Sequence, residues 1–104
     1  MSLTTHVLDV AAGRPAAGVA ITLLRGGEVI ATAVTNADGR TAEPLLDALE
    51  AGEYELRFAV GDYFGQEPRF LDVVPVRFVV GDPGAHHHVP LLVAPGGYST
   101  YRGS

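Results

Sequence analysis

Residues 54–60 read Tyr-Glu-Leu-Arg-Phe-Ala-Val, and this run decides the fold class because every second side chain is apolar. Successive side chains of a β-strand point to opposite faces, so the run predicts a strand with one buried face. Residues 74–80 repeat the pattern, with Val, Val, Phe and Val at alternate positions. A period of two therefore predicts an all-β protein.

Further β-prone runs lie on both sides of these two, and turn sequences separate them. Strands are expected at residues 4–10, 19–23, 29–34, 86–93 and 98–101. Turns are expected at residues 26–27 (Gly-Gly), 36–39 (Asn-Ala-Asp-Gly) and 94–97 (Ala-Pro-Gly-Gly). Residues 44–51 fit a helical turn or an ordered loop, and residues 61–66 fit a helical turn.

Many short strands separated by turns predict an antiparallel β-sandwich of seven to eight strands, with one short helix. The 104 residues are enough for a single domain, expected over residues 1–104. A domain of this size buries a modest share of its surface, and association into oligomers is one way to bury more.

Composition excludes several classes of function. The net charge of −5 argues against nucleic-acid binding, which depends on basic side chains. The absence of cysteine excludes disulfides, thiolate nucleophiles and thiolate metal ligands. The N-terminal residues show no secretory signal, and no apolar run approaches the ~18 residues of a membrane helix. We therefore expect a cytoplasmic protein without a membrane partner.

A run of three histidines, His86, His87 and His88, is the first candidate site. On a strand, His86 and His88 would share one face and His87 would lie on the other. Imidazole titrates near neutral pH, so the pair suits acid–base chemistry, and it equally suits half of a metal site. The plain alternative is a polar, solvated edge strand. Spacing alone leaves all three open.

Three further features become informative only together. His6 lies in an expected strand, where a half-buried histidine without a catalytic role is common. Arg40 follows the turn Asp38-Gly39, and its planar guanidinium suits an anionic heterocycle, although exposed turn arginines are common. The chain ends in Tyr101-Arg102-Gly103-Ser104. Chain ends usually fray, so a ragged last strand is the alternative there.

These features occur in register with segments that resemble the transthyretin superfamily. The segments are residues 6–9 (His-Val-Leu-Asp), 13–16 (Gly-Arg-Pro-Ala), 35–40, 70–78, 86–93 and 98–104. The Tyr-Arg-Gly-Ser ending is the most specific of them, and it resembles the hydroxyisourate hydrolase branch. The hormone-carrier branch has lysine in place of His6 and lacks this ending.

The resemblance implies a transthyretin-like (prealbumin-like) sandwich that assembles as a homotetramer, a dimer of dimers, with active sites at the dimer–dimer interface. It implies hydrolysis of 5-hydroxyisourate, a small-molecule substrate, in urate breakdown, without a cofactor or metal. It further implies catalytic roles for His6, Arg40, His88 and Ser104. The same resemblance assigns substrate binding to His6, Arg40, His88, Tyr101, Arg102, Gly103 and Ser104.

The chain departs from the superfamily pattern at three positions. His87 stands where tyrosine is common between the two histidines, Ala94 stands for serine, and Gly96 stands for an aromatic residue. Strand alternation predicts that His87 faces away from His88, so the candidate set is intact.

Three other functions compete with the hydrolase. Residues 18–54 also resemble non-catalytic transthyretin-like binding modules, which have no need of His6, the histidine pair or the ending. A small-molecule carrier would use the same channel without chemistry. A metal site on His86 and His88 is the third.

Overall fold

The computed structural model describes residues 2–104, and along them eight strands and one short helix follow one another. They are β1 (Leu3–Asp9), β2 (Arg14–Pro15), β3 (Ala20–Arg25), β4 (Glu28–Val34), β5 (Gly52–Phe58), α1 (Val60–Phe64), β6 (Val74–Val80), β7 (His87–Ala94) and β8 (Gly97–Thr100). Met1, the first residue of the expected domain, lies outside the described residues. The predicted all-β class, strand number and short helix are confirmed.

The strands of residues 2–104 form two four-stranded sheets, named here sheet A and sheet B. Sheet A has the order β2-β1-β7-β8, and sheet B has the order β4-β3-β5-β6. Every pairing is antiparallel except that of β1 with β7, which is parallel. The expectation of a purely antiparallel sandwich missed this pair. No tight turn joins β1 to β7, so nothing local forces them to run in opposite directions.

Alternate side chains of both sheets meet in one core, as the period of two predicts. Leu3 and Val7 from β1 and Leu91 from β7 face Leu56 and Phe58 from β5, and all five are fully buried. Burying one such side chain stabilises a fold by about 1.5–3 kcal/mol. The inward face of β1 and β7 packs into this core, so polar side chains lie on their other face.

The predicted turn at Gly26-Gly27 joins β3 to β4 as a hairpin. The φ angles of these glycines are 59° and 81°, which L side chains rarely adopt and which tight hairpin turns require. The two glycines therefore allow the tight turn that pairs Arg25 with Glu28, and a register shift between Leu23 and Leu24 precedes the pairing of Leu23 with Ala31.

Most predicted strand bounds differ from the observed ones by one or two residues, and two of these differences have a clear cause. The run at residues 54–60 ends as a strand at Phe58, and Val60 begins α1. Val60 is nevertheless fully buried. Its apolar character therefore indicates a buried position and does not indicate that the residue lies in a strand. The strand expected from His86 begins at His87, where the backbone N–H first bonds across to the Ser2 carbonyl oxygen at 3.0 Å.

Residues 44–51 form an ordered loop, the second of the two structures that the sequence allowed. The loop pairs with the start of β1, where Leu3 N donates to the Leu46 oxygen and Leu45 N donates to the Leu3 oxygen. Leu45 and Leu49 bury their side chains in the core. Hydrogen bonding and burial together hold the loop without a helix.

Candidate functional site

The candidate site lies on the outer face of sheet A, where β1 and β7 run side by side. In their parallel register Thr4 lies opposite His88, and His6 lies opposite Pro90. Thr4, His6 and His88 are half-buried, while Leu3, Thr5 and Val7 between them point into the core. The alternation of β1 thus delivers His6 to the same surface as His88.

His88 is held in place by contacts to β1 and to the chain end. Its Nδ1 lies 2.8 Å from the Thr4 hydroxyl oxygen, and its backbone oxygen accepts a hydrogen bond from Gly103 N at 2.8 Å. Burial lowers the pKa of His88 below its ordinary value, and the nearby positive charge of Arg40 and the imidazoles of His6 and His86 lower it further. A lowered pKa favours the neutral imidazole, which is the form able to accept a proton.

The orientation of His6 is fixed by a backbone carbonyl. Its Nε2 lies 2.8 Å from the Asp38 carbonyl oxygen. A carbonyl oxygen can only accept, so Nε2 of His6 carries the proton and donates it to Asp38. In the neutral ring the lone pair therefore lies on Nδ1.

The turn at residues 36–40 brings Arg40 to this face. The Asn36 carboxamide oxygen accepts hydrogen bonds from the backbone N–H groups of Asp38 at 2.9 Å and Arg40 at 3.2 Å. The Gly39 oxygen in turn accepts from Val7 N at 2.8 Å, which docks the turn on β1. Arg40 is exposed there, close enough to His88 to lower its pKa.

Gly39 is required at this turn for two reasons. Its φ of 73° is one that L side chains rarely adopt. A Cβ atom there would also lie 2.3 Å from the Val7 oxygen and 3.3 Å from Cδ2 of His6. The closeness of the turn to His6 depends on that missing side chain.

The chain end runs along the same region after β8. Thr100 pairs with Leu91, and its hydroxyl donates to the Pro90 oxygen at 2.7 Å. Gly103 then forms an isolated bridge to His88. Ser104 follows as an exposed last residue. The chain is thus tied to β7 up to Gly103, which argues against the alternative of a ragged end.

The predicted residues do not all meet at one point. His6, Arg40, His88 and Gly103 come together at the outer face of sheet A. Tyr101 and Arg102 instead line a cavity of about 280 Å³ on whose wall His87 also lies, together with β6 residues of sheet B. Arg102 makes a long contact of 3.5 Å from Nη2 to the His86 oxygen.

His87 faces away from His88, as the alternation predicted. It is 5% exposed, and its Nδ1 lies 2.9 Å from the Ala85 carbonyl oxygen, to which it donates. His86 and His88 lie on the opposite side with their rings stacked, 6.5 Å between centroids and 12° between planes.

Thr4 and Ser2 are site residues that the sequence reasoning missed. The Thr4 hydroxyl contacts both His86 and His88, and the Ser2 hydroxyl contacts His86. Their signal was available, since Ser2, Thr4 and His6 occupy alternate positions at the start of the chain and into β1. Small hydroxyl residues are so common in strands that this spacing alone carried little weight.

Two features are absent from residues 2–104. No group of three or more His, Cys, Asp or Glu side chains is placed to hold a metal ion in that part of the chain. Within the same residues no helix is long and apolar enough to cross a membrane.

The arrangement can be compared with known proteins. The HIUase/Transthyretin family model matches residues 3–103. The chain belongs to this family. A 5-hydroxyisourate hydrolase of Halalkalibacterium halodurans is 56% identical over 115 aligned positions that cover 98% of this chain and 97% of that protein.

Solved structures of the HIUase/Transthyretin family have the same fold. The 5-hydroxyisourate hydrolase of Klebsiella pneumoniae has a TM-score of 0.89 and 45% identity, with the whole of both chains covered. Sea bream transthyretin in complex with thyroxine has a TM-score of 0.87 and 29% identity, covering 99% of this chain and 95% of that one. The predicted transthyretin-like sandwich and the family resemblance are confirmed.

Proposed function

We propose that this chain hydrolyses 5-hydroxyisourate to 2-oxo-4-hydroxy-4-carboxy-5-ureidoimidazoline in the degradation of urate. The observation that carries the proposal is that His6, Arg40 and His88 lie on one face together with Gly103 of the tail, the name used here for residues 101–104. The chain is also 56% identical to a named hydrolase of this substrate. The reaction places it among hydrolases that act on cyclic amides.

The chemistry needs a base, hydrogen-bond donors and a proton for the leaving nitrogen. Water attacks the carbonyl carbon of the ring lactam, the carbon–nitrogen bond opens, and the ring nitrogen takes up a proton. A base must take a proton from the water, and donors must stabilise the negative charge that develops on the carbonyl oxygen. The scheme uses only protein groups and water.

One of the two histidines activates the water, and the other orients it or returns a proton to the leaving nitrogen. The lowered pKa of His88 supports it as the base, because a larger fraction of its imidazole is neutral. The Nδ1 lone pair of His6 gives that residue the same capability, since its Nε2 is bound to Asp38. The geometry leaves the two assignments open.

Arg40 binds and polarises the substrate. Its guanidinium is exposed on the histidine face and presents several N–H donors in one plane, which matches an anionic heterocycle. Ser104, through its hydroxyl, completes the wall of the pocket beside Gly103, whereas Tyr101 and Arg102 line the separate cavity that includes His87. Gly103 supports this role through its contact with His88.

We propose further that the protein works as a homotetramer, a dimer of dimers, with its sites at the dimer–dimer interface. Two features support this assembly. The strands β8 and β6 each lie at the edge of a sheet and have one unpaired side. The face that carries His6 and His88 is open in a single chain. A second copy of the chain placed over this face would separate the site from bulk water. Location in the cytoplasm stays a prediction from the sequence.

A spectroscopic assay tests the activity. Urate oxidase generates the unstable substrate in situ, and the decay of its absorbance is followed with and without this protein. We expect decay accelerated well beyond the spontaneous rate, in proportion to protein concentration. A carrier or binding module would leave the decay rate unchanged, and that result would overturn the proposal. Sedimentation of the same preparation measures the assembly, and an active monomer would exclude the interface site.

A further inference from the structure

An unbroken row of polar contacts connects Ser2 to His88 across the outer face of sheet A. The Ser2 hydroxyl oxygen lies 2.9 Å from Nδ1 of His86. Nε2 of His86 lies 3.2 Å from the Thr4 hydroxyl oxygen, which lies 2.8 Å from Nδ1 of His88. His86 is exposed and has no part in the proposed function above.

The Thr4 hydroxyl makes the protonation of the two rings depend on each other. A threonine hydroxyl has one proton to donate and otherwise accepts. When it donates to one imidazole nitrogen, the other imidazole must donate to it for both contacts to be hydrogen bonds. When the Thr4 proton is used within this row, the two ring nitrogens that flank Thr4, Nε2 of His86 and Nδ1 of His88, therefore carry opposite protonation. Both can carry a proton only when the Thr4 hydroxyl accepts two hydrogen bonds and its own proton points out of the row.

Two arrangements satisfy every contact in the row and also use the Thr4 proton within it. In the first, Thr4 donates to Nε2 of His86, and Nδ1–H of His88 donates to Thr4, which leaves Nε2 of His88 with a lone pair. In the second, Nε2–H of His86 donates to Thr4, Thr4 donates to Nδ1 of His88, and Nε2 of His88 carries the proton. The Ser2 hydroxyl accepts from Nδ1 of His86 in the first and donates to it in the second.

We propose that His86 is a positioning residue that acts through Thr4 to select which ring nitrogen of His88 carries the proton. The selection matters because Nε2 of His88 is the nitrogen free to face a substrate. The first arrangement makes that nitrogen a base, and the second makes it a donor. The catalytic consequence rests on the proposed function, whereas the selection itself is a property of the free protein.

Charging His86 favours one arrangement. A protonated His86 has N–H on both nitrogens, so Thr4 accepts from it, and the Thr4 proton stays within the row only by donating to Nδ1 of His88, which disfavours the base form of His88. The other charged or titratable groups that face His88 are Arg40 on the turn and His6 on β1. The tail adds Arg102, which contacts the His86 backbone oxygen.

The direct test is the tautomer ratio of His88, read from the ¹⁵N shifts of its ring at a pH where the imidazoles are neutral. His86→Phe keeps a stacked ring but removes both nitrogens, and Thr4→Val removes the hydroxyl while keeping the shape. We expect each change to alter the ratio about threefold or more, the bias that one hydrogen bond provides. Thr4→Ser keeps the hydroxyl and serves as the matched control, with the wild-type ratio.

Two results would overturn the inference. An unchanged ratio in His86→Phe removes His86 from the selection, even if Thr4→Val changes it. A ratio that changes equally in Thr4→Ser attributes the effect to packing and not to the hydroxyl. His86 is exposed, so His86→Ala provides a second variant that keeps the fold if phenylalanine disturbs it, and amide spectra report folding in each case.

A second readout connects the selection to catalysis. In His86→Phe we expect kcat to fall about tenfold with little change in KM, and the pH profile of kcat/KM to change its shape. A profile that keeps its wild-type shape would overturn the catalytic part. If the wild-type protein does not accelerate hydrolysis at all, the proposed function fails, while the tautomer ratios still decide whether His86 acts on His88.

Discussion

Gly103 lies so close to the ring of His88 that a methyl group does not fit between them. A Cβ atom on Gly103 would be 2.4 Å from Cδ2 of His88, and Gly103 N donates to the His88 oxygen at 2.8 Å. The position of the tail and the orientation of this imidazole therefore depend on each other.

We therefore expect Gly103→Ala to lower kcat/KM by about 100-fold or more, because misplacing a catalytic group by about 1 Å has an effect of that size. The new methyl group must push either the His88 ring or the tail away. The urate oxidase-coupled assay measures the loss. Gly96→Ala is the control, since a Cβ there meets nothing within 4 Å and should leave activity unchanged. Equal activity in both variants would show that the position of the tail does not affect the function of His88.

Removing Arg102 to Ser104 should reduce activity strongly and stability little. Arg102 and Ser104 are exposed. The deletion removes the backbone hydrogen bond from Gly103 N to the His88 oxygen, and such a bond is worth about 0.5–1.5 kcal/mol. Urea denaturation gives the stability, and the coupled assay gives the turnover. Wild-type turnover by the shortened chain would show that the tail is not part of the pocket.

Residues with regular alternation were predictable from the sequence. The burial of Tyr54, Leu56 and Phe58 and the opposite orientations of His87 and His88 follow from a period of two. The end of β5 at Phe58 was not predictable in this way, because Val60 is as buried in α1 as it would be in a strand. The local sequence pattern indicates which residues are buried. The backbone conformation of a residue depends also on what that residue packs against.

The meeting of the site residues was beyond local pattern for a similar reason. Thr4 and His88 are 84 positions apart, and their hydrogen bond depends on the parallel pairing of β1 with β7. No turn sequence encodes that pairing. His6 and Arg40 were identified by resemblance, and the hydrogen bond of Gly39 with Val7 supplies the physical connection.

His6→Ala and His88→Ala should each lower kcat by about 10²- to 10⁴-fold, the usual contribution of acid–base groups. His87→Ala should instead reduce stability by about 1–3 kcal/mol, because a buried hydrogen-bonded side chain is lost. Its turnover per folded molecule should be that of the wild type. Turnover and urea denaturation are measured on all three. Full turnover in His6→Ala or His88→Ala would remove that residue from the mechanism.

Arg40→Met should raise the pKa of His88 towards its ordinary value. Burial is the larger cause of the lowered pKa and remains, so the recovery is partial. Titration of the His88 ring by NMR measures it, and Arg57→Met on sheet B is the control. A pKa of His88 that is the same in Arg40→Met as in the wild type would show that Arg40 does not act on it.

The same lowered pKa has a consequence for stability. The folded protein holds its His88 proton less tightly than the unfolded chain does, so acidification favours unfolding. Stability is lost as pH falls below about 6.5, the ordinary histidine value, and through the lowered pKa of His88. In Arg40→Met the lost amount should be smaller, which denaturation at a series of pH values can measure.

Gly39→Ala should disrupt both the fold and the site, whereas Gly13→Ala should disrupt the fold alone. The two glycines have φ angles of 73° and 70°, so alanine costs about 1–2 kcal/mol of backbone strain at either position. Only at Gly39 does the added Cβ also meet the Val7 oxygen, at 2.3 Å, and Cδ2 of His6. Relieving that contact moves the turn away from β1 and takes Arg40 and the Asp38 carbonyl away from His6.

We expect a larger loss of urea stability and at least a tenfold lower kcat/KM in Gly39→Ala, with wild-type kcat/KM per folded molecule in Gly13→Ala. Equal effects of the two substitutions would mean that backbone strain alone, and not the close approach of the turn to β1, determines how His6 and Arg40 are held.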